Sequence, residues 1–117
     1  MPPLLPKFIF ASIVLFISSC ENLNLEPDTS SCVEKKIRKI KRAEVTNPPA
    51  AVWKWEVDTK TYYYFTSNCC DQFNYLFDSN CNEVCAPDGG FTGDGDGNCP
   101  EFIGTIEKTL IWQDDRS

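Results

Sequence analysis

Histidine is absent from the 117 residues. That removes the commonest general base, the usual nitrogen ligand of zinc and every Ser/His/Asp or Cys/His triad. Positive charge is scarce as well. Eleven Lys and Arg stand against seventeen Asp and Glu, a formal net charge of -6, so the chain repels phosphate backbones and nucleic acid is not an expected partner. No apolar stretch reaches the roughly 20 residues that a membrane-spanning helix needs. The longest covers residues 8–17 and is interrupted by Ser12. There is no internal repeat, and the length suits one small domain, which excludes a multidomain enzyme.

What the chain does have is cysteine: seven of them, far too many for a cytosolic protein of this size, which points to an oxidising compartment. The start fits export. Lys7 precedes the apolar stretch, which closes on Ile17-Ser18-Ser19-Cys20, a basic start, an apolar centre and small residues before a cysteine. Those four residues resemble the lipobox of bacterial lipoproteins, in which the cysteine is acylated before the leader is removed. The expected organisation is a signal peptide over residues 1–19, a lipidated tether over 20–31 and a cysteine-rich domain over 32–117. Lipidation of Cys20 leaves an even set, Cys32, Cys69, Cys70, Cys81, Cys85 and Cys99, with no spare reactive thiol. No C-x-x-C is present, and zinc would need thiolates kept reduced in an oxidising compartment. Structural disulfides are therefore expected, with their pairing left open.

Within the domain, Ser31-Cys32-Val33-Glu34 fits a capping box and predicts a helix from Cys32. Val33, Ile37 and Ile40 share one helical face, while Lys35, Lys36, Arg38, Lys39, Lys41 and Arg42 cover the rest. Lipid headgroups or an acidic partner could bind this basic face; a solvated surface within an acidic domain is the preferred reading. Asn47-Pro48-Pro49 forces extended backbone. Residues 52–57 and 61–66 read as a hairpin through Asp58-Thr59-Lys60, and residues 75–77 and 83–85 as a second. Residues 86–100 hold five of the six glycines and read as one long loop tied down by Cys99. Residues 101–112 fit either a helix or a last strand. The predicted fold is α+β, one N-terminal amphipathic helix packed on a small antiparallel sheet and stapled by disulfides.

Four stretches occur together: Asn47-Pro48-Pro49-Ala50-Ala51-Val52-Trp53; Cys69-Cys70-Asp71-Gln72-Phe73-Asn74; Cys81-Asn82 with Cys85-Ala86-Pro87-Asp88-Gly89-Gly90; and Gly93, Gly95-Asp96-Gly97 and Cys99-Pro100. In combination they resemble a small family of secreted bacterial proteins, many of them lipoproteins, that share a domain of unknown function, over about residues 32–112. The resemblance implies no activity, ligand or catalytic residue. Asp88 and Asp96 match its pattern, whereas the position of Asp94 varies.

Asp94, Asp96 and Asn98 place oxygen atoms at alternate positions, like the first half of an EF-hand loop, and Asp88 could add to them. The match then fails, because the required Gly is Cys99 and the required Glu is Thr105. Turns closed by these side chains, with no cofactor, are the expectation, and calcium is the alternative. Trp53, Tyr62, Tyr63 and Tyr64 form an aromatic hairpin. Three consecutive tyrosines in a strand cannot all face inward, so Tyr63 or both its neighbours should point outward and could meet a protein or a glycan. Acidic residues abound without a spacing that singles out a catalytic pair. The functional expectation is a non-enzymatic binding module, held at the cell envelope on the periplasmic or outer side of a bacterial membrane through the Cys20 lipid, with an envelope protein or glycan as partner. A small carboxylate-dependent hydrolase, with or without calcium, is the alternative.

Overall fold

A computed structural model describes residues 23–69 and 71–116; the leader, Cys20 and Cys70 lie outside the described residues. Helix α1 (Ser31–Arg42) is followed by strands β1 (Ala51–Val57), β2 (Lys60–Phe65), β3 (Phe73–Asp78), β4 (Glu83–Gly89) and β5 (Glu107–Gln113). The strands form a single antiparallel sheet in the order β4-β3-β2-β1-β5. With the helix packed on one face, this is the predicted α+β fold. No helix among the described residues is long and apolar enough to cross a membrane.

The helix starts one residue earlier than the capping box predicts. Ser30 is the N-cap, in extended conformation, and its hydroxyl accepts a hydrogen bond from the Val33 N–H at 3.4 Å. This puts Val33, not Glu34, at the position from which an acidic side chain reaches back to the cap. Glu34 instead pairs one turn ahead with Arg38 at 2.8 Å. At the other end, the Arg116 guanidinium donates to the carbonyls of Ile40, Lys41 and Ala43 at 3.2, 2.8 and 2.9 Å. These are the carbonyls that a helix terminus leaves without intrahelical partners. Asp114, 3% exposed, aims the guanidinium through bonds of 2.9 and 2.7 Å.

The two-residue turn Asp58-Thr59 joins β1 to β2, with φ of 52° and 65°. Both angles lie in the left-handed region that gives a hairpin turn the twist of its strands. Lys60, expected in the turn, opens β2 opposite Val57. The β3–β4 turn is closed by Asp78, whose carboxylate accepts from the backbone N–H groups of Asn80 and Asn82, each at 2.9 Å. The left-handed Cys81 in this turn meets Cys32 in the first turn of α1, forming a disulfide with its Cα atoms 6.1 Å apart.

Strand alternation divides the apolar side chains between two faces. Under α1, Val33 and Ile37 cluster with Val52, Tyr63, Phe65 and Trp112. On the opposite face, Trp55, Leu76 and Cys85 cluster with Trp53, Tyr62, Tyr64, Cys99, Phe102 and Ile106. Two expectations need correction, and one left open is decided. Residues 23–30 are not a free tether: Leu23 is 9% exposed within the helix-side core, Leu25 packs against it, and Glu26 bonds to the Lys54 ammonium. Lys54 is 8% exposed and draws carboxylates from Glu26 and, at 3.1 Å, from Glu56, because a buried cation is costly unless paired. Residues 86–89 are strand, not loop, since Asn74 pairs with Asp88 and Phe73 with Gly89. Residues 107–113 take the strand alternative, completing the far edge of the sheet beside β1.

Replacing Arg116 with Ala should cost about 2 kcal/mol of unfolding free energy in a denaturant titration, because the helix carbonyls and the buried Asp114 both lose their partner. The hydrogen bond from Arg116 holds the Asp114 carboxyl below the usual carboxylate value, against the opposing effect of burial. A depressed carboxyl stabilises fully above its unfolded value, about pH 4, and that stability is lost as pH falls through the lower folded value. Stability measured against pH should therefore fall less steeply below about pH 4 in Asp114→Asn than in the wild type.

Candidate functional site

The aromatic hairpin is covered on both faces. Tyr63 is 2% exposed and lies in the core beneath α1, which corrects its expected place on a binding surface. Trp53, Tyr62 and Tyr64 point the other way, where segment 99–106 packs over them. Trp55 stacks on Tyr64 with ring centroids 5.3 Å apart, and Phe102 meets Tyr62 edge-on at 5.5 Å. The Lys108 ammonium sits 4.3 Å over the Trp55 ring. All three of the outward residues are half-buried as a result.

The glycine-rich segment that carries this cover folds back along β4. Gly95 N–H donates to the Gly89 carbonyl at 3.1 Å and Asp96 N–H to the Ala86 carbonyl at 3.0 Å. Cys85 and Cys99 are joined by a disulfide with their Cα atoms 5.0 Å apart. The backbone groups on the open edge of β4 are thus engaged by the chain's own next segment. Cys69 is also disulfide-bonded. Of the remaining expected cysteine sites, Cys20 and Cys70 lie outside the described residues.

The four calcium candidates are not gathered into one shell. Asp88 accepts from the Tyr64 hydroxyl at 2.7 Å and from the Asn74 side-chain amide at 2.8 Å. Burial, and then the Asp88 carboxylate, push the Tyr64 hydroxyl well above its usual value. Asp96 closes a turn by accepting from the Asn98 N–H at 2.9 Å, a bond that holds its carboxyl below the ordinary value. The Asp94 N–H faces the Thr92 hydroxyl at 3.3 Å, and Asn98 is exposed. Among the described residues, no group of three or more His, Cys, Asp and Glu is placed to hold a metal ion. Phe91 and Ile103, 89% and 77% exposed, project from this segment.

An open apolar groove lies on the helix side. Phe73, Tyr75 and Phe77 alternate along β3 on that face and are half-buried, because the inward residues of α1 centre on Val52, Tyr63 and Phe65. Their rings form a row, with centroids 5.9 Å and 6.4 Å apart, and Phe65 meets Phe77 edge-on at 5.4 Å. Between this row and α1 is a cavity of about 220 Å³ walled by Ile40, Phe65, Tyr75 and Phe77, with Lys36 and Lys39 at its helix side. Lys36 Nζ lies 4.2 Å above the Phe77 ring. Neither lysine has a carboxylate within ion-pair distance among the described residues. Thr66 and Ser67 complete the lining, but their hydroxyls are engaged with the chain itself. Thr66 Oγ1 accepts from the Ala51 N–H at 2.8 Å, and Ser67 Oγ donates to the Phe73 carbonyl. Sequence reasoning found the basic helix face but not the aromatic row beside it. The signal was the shared parity of Phe73, Tyr75 and Phe77.

The loop's backbone can be tested by substitution. Gly95 has φ +79°, and a Cβ there would overlap the Ala86 carbonyl, whereas Gly97, at φ +74°, faces open space. Gly97→Ala should cost only the left-handed strain of about 1 kcal/mol, while Gly95→Ala should cost about twice that or more, read from melting curves.

A sequence model of a domain of unknown function, DUF6970, matches residues 38–114. The matched span takes in Lys39, Phe65, Tyr75 and Phe77 and begins just after Lys36. No curated protein and no solved structure matches the chain.

Proposed function

We propose that the chain, which belongs to the DUF6970 family, is a lipid-anchored cell-envelope protein whose domain binds a protein or a glycan without catalysing a reaction. The observation that carries the binding role is the groove beside α1, where two ammonium groups with no ion-pair partner among the described residues adjoin a half-buried aromatic row. Two disulfides support an oxidising compartment. The apolar stretch ending at Ile17-Ser18-Ser19-Cys20 supports acylation of Cys20. Leu23 is already in the core, so an acyl group on Cys20 would hold the domain within about 10 Å of the bilayer surface. A hydrolase with paired carboxylates would need two acids facing one another in a cleft. The half-buried Asp88 faces Tyr64 and Asn74, and the buried Asp114 faces Arg116.

Metabolic labelling with a fatty acid in a bacterial host should mark the wild-type chain and not Cys20→Ala, and only the wild type should sediment with membranes. Equal labelling of the two would overturn the anchor. Capture of an envelope component that is recovered unchanged in mass would support binding, and its steady cleavage would support the hydrolase.

A further inference from the structure

We infer that the groove beside α1 is a docking site for an extended acidic segment of a protein partner, which inserts one large apolar side chain against Phe65, Tyr75 and Phe77 and pairs flanking carboxylates with Lys36 and Lys39. The inference rests on the binding role proposed above and names its ligand. Three observations select this class. The first is charge. The chain as a whole carries -6, so an acidic partner is repelled by most of the surface and drawn to the helix that concentrates the lysines. Among the described residues that line the groove none is acidic.

The second is size. A cavity of about 220 Å³ falls below the roughly 300 Å³ at which pockets for whole small molecules begin. It suits a single side chain, the way a hot-spot anchor fills a pocket on its partner. The third is hydrogen-bonding capacity. A sugar buries several hydroxyls, each of which needs a partner. The hydroxyls that the groove could offer, on Thr66 and Ser67, are held by Ala51 and Phe73. An aromatic or aliphatic side chain makes no such demand. The row along β3 also repeats every second residue, the repeat with which an extended peptide presents alternate side chains.

The test uses the full chain, with backbone amide shifts as readout and three capped pentapeptides as probes: Glu-Glu-Phe-Glu-Glu, Glu-Glu-Ser-Glu-Glu and Lys-Lys-Phe-Lys-Lys. Tri-galacturonate serves as an acidic glycan. The first peptide should shift Tyr75, Phe77 and the α1 amides, and bind about tenfold more tightly than either of the other two. Lys36→Met combined with Lys39→Gln should weaken it by about tenfold, as should raising salt from about 50 to about 500 mM. These lysines lie on the helix surface, so an unchanged melting temperature will show that the double variant is folded. Equal binding of the Phe and Ser peptides, or indifference to the lysine replacements, overturns the inference. Tighter binding of tri-galacturonate through the same lysines overturns the peptide assignment and leaves the binding role standing. If neither probe binds but the chain self-associates through these lysines, the occupant is a second copy and the inference fails.

Discussion

The structure depends on one constraint: the central β1–β2 hairpin is apolar on both faces, so each face needs its own cover. Val52, Tyr63 and Phe65 look one way and Trp53, Trp55, Tyr62 and Tyr64 the other. A chain this short has little left for two covering layers. It uses its one described helix for the first and an irregular segment for the second, and it ties each cover to the sheet by a disulfide. Cys32–Cys81 holds the start of α1 to the β3–β4 turn, and Cys85–Cys99 holds the segment that carries Phe102 and Ile106. With the joined cysteines 49 and 14 positions apart in sequence, restriction of the unfolded chain is worth about 4 and about 3 kcal/mol. That matters most for the second cover. Helix α1 brings its own hydrogen bonds, whereas a glycine-rich loop loses much backbone entropy on ordering.

What was legible in the sequence follows the same division. The helix and both hairpins declare themselves locally, through an apolar repeat of three to four residues, alternation of two, and turn-forming Asp and Asn. The errors concern long-range burial. Leu23 and Leu25 sit in a polar stretch with few apolar neighbours and read as tether; Leu23 is buried and Leu25 half-buried because of the sheet face around Lys54, some thirty positions later in the chain. Parity was enough to show that Tyr63 opposes Tyr62 and Tyr64. Whether the Tyr62 face met solvent depended on a cover whose attachment, Cys85 to Cys99, is one of several pairings that the spacing allows. The last strand is ambiguous in sequence because Phe102, Ile103, Ile106 and Leu110 suggest a helix and Thr109-Leu110-Ile111-Trp112 a strand, and the edge of β1 decides.

The two edges of the sheet are handled differently. The edge of β4 is engaged by the folded-back loop, through Gly89, Gly95 and Asp96. At the other end β5 exposes Glu107, Lys108, Thr109 and Leu110, and charged side chains on an edge strand oppose pairing with another chain. Arg116, just past β5, returns to the C-terminal carbonyls of α1. The last strand and the helix are thereby tied into one body without a third layer between them. Because Asp114 both bonds to the Ala50 carbonyl through its N–H and aims Arg116, β5 and the helix end lock together at one buried carboxylate.

With both hairpin faces covered and both edges engaged or charged, the row along β3 beside α1 is a run of three aromatic rings that the fold leaves half-covered. A helix of twelve residues spans only about 18 Å. Its inward residues, Val33 and Ile37, go to the hairpin. Covering β3 as well would take a wider apolar stripe, yet the positions that would provide it, Lys36 and Lys39, are charged. The stem of Lys36 partly serves as cover, reaching over Phe65 and Phe77 with its ammonium against the rings. A leucine at that position would close the groove at less cost in side-chain entropy. A lysine keeps it open and charged, as the proposed binding role requires.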